Sequence, residues 1–229
     1  MSDLVFPAPP PSTVAIAGSQ ERFPVRRIFC VGRNYAAHAA EMGHDAEREP
    51  PFFFTKPADA VVDNHSKVPY PPETNNLHFE IELVVAVGKG GINIPESEAL
   101  EVVFGYAVGL DMTRRDLQTQ AKKMGRPWDW GKAFDHSAPC GPISRTEVCG
   151  HPLDHRIWLT RNGEIQQEAS TAELIWSVPE VISILSSSME LKPGDLIYSG
   201  TPAGVGPTVS GDRLAGGVDG LVDIEVEIA

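Results

Sequence analysis

Residues 77–87 read LHFEIELVVAV, and this stretch decides the predicted architecture. Apart from Glu82, the residues from Ile81 to Val87 are apolar and rich in β-branched side chains, which predicts a largely buried strand. Glu80 and Glu82 stand at the entrance of that strand, two positions apart. Because side chains alternate across a strand and the rise is about 3.3 Å per residue, we expect both carboxylates on one face, about 7 Å apart.

A third acid, Asp111, follows a second apolar strand-like run, Gly105–Leu110. Acids at the ends of apolar strands have to protonate, find basic partners or hold a cation. Three carboxylates suit a hard ion such as Mg²⁺ or Mn²⁺. The alternative is that Glu80 and Glu82 face solvent while Asp111 caps a helix that begins near Thr113. The pattern alone leaves both interpretations open.

The composition excludes several classes of partner. The chain has 229 residues, and 31 acidic against 19 basic residues give a net charge of −12. That charge argues against nucleic acid and against an anionic membrane surface, and an anionic substrate would need arginine or lysine close by. Three cysteines without a CxxC pair are typical of a reduced compartment. With neither a signal peptide nor an apolar run of ~20 residues, the expected location is the cytoplasm.

Strands outnumber helices in the predicted element order, and βαβ units do not repeat regularly. The predicted class is therefore α+β with a β-rich core. The Asn162-Gly163 dipeptide predicts a tight hairpin, and helices are expected over residues 96–103 and 177–187. Without an internal repeat or a shift in composition, the simplest division is a proline-containing extension over residues 1–24, laid over the surface, and a single domain over residues 25–229.

A short helix predicted over residues 35–42 carries two polar residues that can act together. Asn34 is its expected cap. His38 and Glu41 are three positions apart and are therefore neighbours on one helix face. The pattern alone is also typical of an ordinary surface pair. The charged, turn-rich segment that follows, residues 43–51, is a candidate lid.

Further polar candidates follow Asp111. A helix predicted over residues 113–124 places Arg115 and Gln118 on one face. Residues 128–136 read WDWGKAFDH, an aromatic loop that holds Lys132. A lysine in such a setting is either solvated or a partly buried amine that faces substrate.

A glycine-rich loop, GTPAGVG, spans residues 200–206. It lacks the lysine of a phosphate-binding P-loop, so nucleotide binding is not expected. The loop is either a structural turn or a place where backbone N–H groups hold a carboxylate.

Two other site types fit the sequence less well. Cys140, Cys149, His151 and His155 have spacings too wide for a zinc knuckle. Paired glutamates could instead be the acid and nucleophile of a glycosidase. Aromatic residues make up only 7% of the chain, and nothing in the sequence suggests a sugar-stacking groove.

Six motifs resemble, in this order, those of the fumarylacetoacetate hydrolase family: VGRNYAAHAAEMG, PFFFTKPADAV, LHFEIELVVAVGKG, GYAVGLDMTRRDLQTQAKKMGRPW, GKAFD and GDLIYSGTPAGVGP. They are most similar to the bacterial branch that hydrolyses fumarylpyruvate in gentisate breakdown, with the acylpyruvase and oxaloacetate decarboxylase branch close behind. The resemblance implies a β-rich mixed β-sandwich roll, commonly a homodimer. It also implies one Mg²⁺ or Mn²⁺ per chain and hydrolysis of a carbon–carbon bond in an acylpyruvate.

The resemblance also implies roles for individual residues. They are metal ligation by Glu80, Glu82 and Asp111, water activation by His38 and Glu41, and contact with the keto acid by Lys132, Arg115, Gln118 and Thr201. Relatives often have histidine where this chain has Phe79, which is expected to fill the core instead. The intact set of residues argues against a non-catalytic, metal-binding member of the family. A lyase that decarboxylates oxaloacetate at the same site stays open.

The expected substrate is a small dicarboxylic keto acid, and the metal accounts for only one of its two carboxylates. In a chain of net charge −12, a local cation has to neutralise the other. Arg33 and Arg126 are the candidates for this substrate contact, and the sequence does not choose between them.

Overall fold

The computed structural model describes residues 4–41 and 49–229, with the backbone alone for residues 39–41. Within these residues the strands are, in chain order, β1 Thr13–Ala15, β2 Arg22–Pro24, β3 Arg27–Gly32, β4 Phe52–Lys56, β5 Val61–Asp63, β6 Lys67–Val68, β7 Leu77–Phe79, β8 Ile81–Val87, β9 Val103–Leu110, β10 Thr113–Arg114, β11 Ala138–Cys140, β12 Ser144–Arg145, β13 Arg156–Arg161, β14 Glu164–Ser170, β15 Asp195–Tyr198, β16 Gly206–Thr208, β17 Arg213–Val218 and β18 Ile224–Ile228.

The helices of the described chain are short. The α-helices are α1 Ala36–Glu41, α2 Arg115–Met124, α3 Asp129–Lys132, α4 Thr146–Cys149 and α5 Val178–Ser188, and 3₁₀ turns cover Ala58–Ala60, Glu96–Val102 and Thr171–Glu173. No helix in the described ranges has the length and apolar composition needed to cross a bilayer.

Two sheets form the body of the molecule. The larger has the order β4-β3-β15-β8-β9-β11-β5, with β12 also paired to β9, and the smaller has the order β14-β13-β17-β18-β6. Most neighbours are antiparallel, but β3 with β15, β5 with β11 and β6 with β18 run parallel. The smaller sheet lies against the larger one, because β13 contacts β8 and β17 contacts β9. The predicted α+β class with a β-rich core is confirmed.

Strand β8 is buried on both faces, which explains its continuous apolar run. Leu83 and Val85 pack in the core between the two sheets. Val84 and Ala86 point the other way, into a second cluster that includes Val14. The acids at the entrance of β8 are therefore held by a strand that is fixed on both sides.

The N-terminal segment differs from the expected extended surface segment. Strands β1 and β2 pair with each other, and Val14 and Phe23 are buried in the second core cluster. Strands of three residues are too short to show an alternating pattern, so this hairpin was not predicted. The division at residues 24 and 25 stays a prediction.

Other predicted elements are confirmed with shifted bounds. Asn162 and Gly163 have φ of 53° and 86° and join β13 to β14, as a tight hairpin requires. The helix expected from residue 113 begins at Arg115, because Thr113 pairs with β7 and the Arg115 N–H donates to the Asn76 carbonyl. The segment expected to be an aromatic loop contains α3, whose last residue is Lys132.

Candidate metal centre and active site

Pairing between β8 and β9 brings the three predicted acids together. Glu82 lies opposite Gly109, and the Asp111 N–H donates to the Glu80 carbonyl over 2.9 Å. One carboxylate oxygen from each of Glu80, Glu82 and Asp111 lies within 4.8 Å of the others, and all three residues are buried. The interpretation with solvent-facing glutamates and Asp111 as a helix cap is wrong, since α2 begins after Arg114.

Two of the three acids are neutralised by basic side chains. Glu80 accepts hydrogen bonds from Lys132, at 2.7 Å, and from the Arg115 guanidinium. Burial alone would raise the pKa of Glu80, but Lys132 and Arg115 outweigh burial and hold that pKa well below its usual range. Asp111 pairs with Lys132 Nζ at 2.5 Å and with Lys56 Nζ at 2.8 Å.

Glu82, the third acid, is left with too little positive charge. Its carboxylate accepts the Gly200 N–H over 2.8 Å, and no lysine or arginine in the described part of the chain forms an ion pair with it. Burial, with Asp111 and Glu80 nearby, raises the pKa of Glu82 well above its usual range. A divalent cation between the three carboxylates would relieve this repulsion. The all-oxygen donor set therefore fits Mg²⁺ or Mn²⁺.

Lys132 stays charged although it is buried. Its ammonium donates to Glu80, Asp111 and Thr113 Oγ1, at 2.7, 2.5 and 2.7 Å. Burial lowers the pKa of Lys132, but Asp111 and Glu80 raise it by more, so it lies above the usual value. Short helix α3 presents this side chain, and it packs closely on α2. A Cβ added at Gly131 would lie 2.9 Å from the Gln118 backbone nitrogen.

Lys56 is a site residue that the sequence interpretation missed. Its side chain is fully buried, and its ammonium pairs with Asp111 and donates to the backbone carbonyls of Met112 and Lys132. Lys56 thereby ties a proposed metal ligand to the backbone that carries Lys132. The alternation of side chains along β4, which reads FFFTK, could have indicated this residue. Lys56 shares a strand face with Phe54 and Phe52 and lies at the buried end of the strand.

The structure brings most of the remaining predicted residues to the same place. Arg115 donates to Gln118 Oε1 over 2.7 Å, and Gln167 donates to Thr201 Oγ1 over 2.8 Å. A small cavity lies at the three carboxylates and is here called the triad cavity. Besides the acids, it is lined by Val31, Gly32, Arg33, His38, Phe54, Arg115, Gln118, Lys122, Trp128, Lys132 and Thr201. Nine of the eleven predicted site residues therefore border one cavity. Arg126 does not line it, and the Glu41 side chain lies outside the described residues. Of the candidate lid over residues 43–51, residues 43–48 also lie outside them.

Asn34 anchors the backbone that leads into α1. Its amide Nδ2 donates to the carbonyls of Trp176 and Ser199, over 2.9 and 2.8 Å, and its Oδ1 accepts the Trp176 N–H over 2.8 Å. The Asn34 carbonyl also accepts the Ile175 N–H. The expected helix cap is thus a tether to the segment before α5 and to the end of β15.

A second, larger cavity of about 550 Å³ adjoins the triad cavity. It is here called the aromatic cavity, and it is lined by Arg33, Phe52, Phe53, Phe54, Thr55, Arg126, Pro127, Trp128, Asp129 and Lys132. Both arginines considered for the second carboxylate border it. Only Arg33 also borders the triad cavity.

Phe79 lies in the core, as expected. Its neighbour His78 points to the opposite side and contacts Arg115 Nε over 3.4 Å. Burial, followed by Arg115, lowers the pKa of His78 to about 4, so the ring is neutral near pH 7.

Known proteins are similar to this chain over most of its length. The family described as fumarylacetoacetate (FAA) hydrolase C-terminal matches residues 27–229. The chain is 44% identical over 185 residues to the fumarylpyruvate hydrolase of Ralstonia sp, covering 80% of this chain and 95% of that protein. It is 43% identical over 203 residues to the mitochondrial oxaloacetate tautomerase FAHD1 of Mus musculus, covering 89% of this chain and 91% of that protein.

A solved structure is similar over the whole length. The crystal structure of fumarylpyruvate hydrolase from Pseudomonas aeruginosa in complex with Mn²⁺ and pyruvate matches with a TM-score of 0.97 and 54% identity, covering 99% of each chain. The mixed β-sandwich roll expected from the sequence motifs is confirmed by this match. The chain belongs to the fumarylacetoacetate hydrolase family.

Proposed function

We propose that this protein is a divalent-metal-dependent hydrolase that cleaves a carbon–carbon bond in acylpyruvates, with fumarylpyruvate as substrate and fumarate and pyruvate as products. The observation that carries the proposal is the buried carboxylate triad with the Lys132 ammonium between two of its members. Further support comes from the relative with 54% identity, whose crystal structure is a complex with Mn²⁺ and pyruvate.

Glu80, Glu82 and Asp111 would hold one Mg²⁺ or Mn²⁺ per chain. When bound, such a cation supplies Lewis-acid stabilisation for negative charge that develops on the keto acid. Arg115 and Lys132 prevent the triad from carrying three uncompensated charges, and both stay in hydrogen-bond contact with Glu80.

His38 is the proposed general base. It is buried and borders the triad cavity, and histidine exchanges protons near neutral pH. With Glu41 as its proposed partner, His38 removes a proton from water, and the hydroxide adds to the distal carbonyl carbon of the substrate. Collapse of this adduct breaks the carbon–carbon bond and releases fumarate and the pyruvate enolate. The enolate carbon then takes up the proton and yields pyruvate.

Lys132, Arg115, Gln118 and Thr201 are the proposed contacts of the keto acid. The Lys132 ammonium is close enough to the triad to stabilise enolate charge, because it lies 2.7 Å or less from two of the three carboxylates. Gln118 is positioned by the Arg115 guanidinium, and Thr201 by the Gln167 amide.

A second candidate activity is favoured by the FAHD1 relative, which is named an oxaloacetate tautomerase. Tautomerisation needs stabilisation of the same enolate and a proton exchange at carbon, but no attacking water. Decarboxylation of oxaloacetate, the alternative expected from the motifs, likewise needs the enolate and no water.

Product analysis separates these reactions. Purified enzyme with Mn²⁺ or Mg²⁺ is given fumarylpyruvate or oxaloacetate, and fumarate, pyruvate, carbon dioxide and the enol–keto ratio are followed. We expect fumarate and pyruvate in equal amounts from fumarylpyruvate, with loss of activity in a chelator. Turnover of oxaloacetate alone, without cleavage of fumarylpyruvate, would overturn the hydrolase assignment.

We further propose that the enzyme acts in the gentisate branch of aromatic catabolism, in the cytoplasm and as a homodimer. The support is the resemblance of its motifs to the bacterial fumarylpyruvate hydrolases. The net charge of −12 favours a small-molecule partner over nucleic acid or a membrane surface. Analytical ultracentrifugation of the purified enzyme tests the dimer.

A further inference from the structure

Resting on the proposed function, we propose that the aromatic cavity binds the unsaturated chain and distal carboxylate of the substrate, with Arg33 and Lys122 as the cations that hold this carboxylate. The assignment chooses Arg33 over Arg126 and adds Lys122. It makes these two residues the determinants of selectivity for dicarboxylic acylpyruvates.

The two cavities share a wall, so one substrate can occupy both. Arg33, Phe54, Trp128 and Lys132 line the triad cavity and the aromatic cavity alike. Lys132 also lies 5.0 Å from the centre of the Phe54 ring. A keto acid held at the triad therefore has its other end directed along the Phe54 and Trp128 rings.

Aromatic rings form one wall of the aromatic cavity. The Trp128 ring lies 5.1 Å from Phe52, edge to face at 89°, and 5.8 Å from Phe54. Phe52 lies across Gly32, where an added Cβ would meet its ring at 2.1 Å. A planar, conjugated chain such as a fumaroyl group can stack against rings of this kind.

Two cations lie over these rings, and neither has a carboxylate partner in the described part of the chain. Arg33 lines both cavities, whereas Lys122 lines the triad cavity. The Arg33 guanidinium carbon is 5.5 Å from the centre of the Phe52 ring, and Lys122 Nζ is 4.9 Å from that of Trp128. Neither forms an ion pair with a carboxylate in the described ranges. Arg33 Nε is buried and has no hydrogen-bond partner there. A buried donor of this kind is costly unless a ligand satisfies it.

The backbone at Arg33 supports a functional role. Its φ is 56°, in the left-handed region that is strained for a residue with a side chain. This conformation follows directly on Gly32, at the end of β3, beside the Phe52 ring. Among the described residues, Arg33 thus combines a strained backbone with a position that borders both cavities. It also has a buried guanidinium nitrogen without a hydrogen-bond partner.

The charged residues other than Arg33 that line the aromatic cavity are less suitable. Lys132 is already hydrogen-bonded to Glu80 and Asp111. Arg126 is exposed at the outer side and also borders another surface pocket, and the acidic Asp129 is exposed close to it in sequence. Arg33 and Lys122 thus provide the local positive charge that an anionic substrate needs in this acidic protein.

The test compares fumarylpyruvate with acetylpyruvate, which lacks the distal carboxylate, in Arg33→Met and Lys122→Met, with Arg126→Met as matched control. A charge-assisted hydrogen bond to a carboxylate is worth about 1.5–3 kcal/mol, or roughly ten- to a hundredfold in kcat/KM. We expect Arg33→Met to lower the fumarylpyruvate-to-acetylpyruvate ratio of kcat/KM by about that factor, and Lys122→Met by a smaller one. Arg126→Met should leave the ratio within about twofold of the original enzyme.

The Arg33→Lys variant keeps the positive charge, so its fumarylpyruvate-to-acetylpyruvate ratio of kcat/KM should lie between those of Arg33→Met and the original enzyme. This variant replaces Arg33→Met in the test if Arg33→Met does not fold. The assignment would be overturned if Arg126→Met lowered the fumarylpyruvate-to-acetylpyruvate ratio of kcat/KM while the Arg33 and Lys122 variants left it unchanged. Equal kcat/KM of the original enzyme for both substrates would overturn the subsite but leave the hydrolase function intact. Failure to cleave either acylpyruvate with Mn²⁺ would overturn both.

Discussion

Two buried carboxylates on neighbouring strands of the large sheet have opposite surroundings. Asp195, at the start of β15, accepts hydrogen bonds from both Arg26 and Arg27 and from the Lys192 N–H. Glu82, near the start of the adjacent antiparallel strand β8, receives the Gly200 N–H and is surrounded by other acids. One charge is fully compensated by the chain, and the other is not.

The difference shows what marks a functional acid in this fold. Burial of a carboxylate is common to both positions, so burial alone does not identify a site. At Asp195, the chain supplies two guanidinium groups, which makes the cluster structural. At Glu82, the missing positive charge has to come from outside the chain, which is the condition for a metal site.

The largest expected effect is at Glu82. Glu82→Gln should lower kcat with Mn²⁺ by about a thousandfold or more, because one of three metal ligands and its charge are lost. Since burial and neighbouring acids raise the pKa of Glu82, a neutral side chain suits this position in chelator. The unfolding temperature in chelator should therefore stay within about 3 °C, which is ~1 kcal/mol for a chain of this size.

Isothermal titration with Mn²⁺ and thermal unfolding in chelator measure these two quantities. The matched control is Asp195→Asn, which neutralises a buried carboxylate on the next strand and should bind Mn²⁺ like the original enzyme. Unchanged Mn²⁺ affinity in Glu82→Gln would remove Glu82 from the metal site.

The second effect concerns proton transfer beside the triad. His38→Ala should lower kcat for fumarylpyruvate by about 10²–10⁴-fold, the usual range for a lost general base, with Mn²⁺ affinity nearly unchanged. Steady-state kinetics and Mn²⁺ titration on the same preparation measure both. A loss confined to KM would make His38 a binding residue instead.

The third effect is on stability and belongs to Asp195. Asp195→Asn should lower the free energy of unfolding by about 1–3 kcal/mol, because two arginines lose their buried partner. The value lies below that of a fully buried pair, since the Arg26 and Arg27 side chains are 39% and 32% exposed. Urea unfolding in chelator measures it. A stability equal to that of the original protein would contradict the structural role of this cluster.

The smallest expected effect is a pH dependence of selectivity. The pKa of Lys122 is lowered to about 8, chiefly by burial and then by the positive charges of Arg115 and Arg33. Lys132 lowers this pKa as well, whereas Glu80 raises it. Lys122 is charged below that pKa and neutral above it. The fumarylpyruvate-to-acetylpyruvate ratio of kcat/KM should therefore fall severalfold as pH rises through about 8.

Groups that act on both substrates, such as His38, cancel in this ratio. The ratio is measured at intervals between about pH 6.5 and 9.5. In Lys122→Met the ratio should be flat across this range. A persistent fall in that variant would assign the titration to another group.

The sequence predicted the triad because its geometry follows from local rules. Glu80 directly precedes β8, and alternation from there places it on the same face as Glu82. The apolar run of β9 brings Asp111 to the same edge. The expected separation of the two carboxylates, about 7 Å, was too large. The side chains converge further, so that their oxygens lie within 4.8 Å.

What the sequence did not predict depends on contacts between distant segments. Lys56 meets Asp111 across 55 positions of the chain, and Asp195 meets Arg26 across 169. Helix α3 has only four residues, too few to show helical periodicity, so Lys132 was expected on a loop. The choice between Arg33 and Arg126 likewise depended on knowing which residues line the two cavities.

The tether at Asn34 has a mechanical consequence for the helix that carries His38. Its amide and carbonyl hold the chain to Trp176, Ile175 and Ser199, so the start of α1 cannot slide along the protein without breaking several hydrogen bonds at once. A displacement of α1 that keeps these hydrogen bonds is therefore a rotation about Asn34. At about 1.5 Å of rise per residue, His38 sits roughly 6 Å along this lever arm. A swing of about 20° carries the imidazole only ~2 Å, enough to change its hydrogen-bond distance to a water molecule.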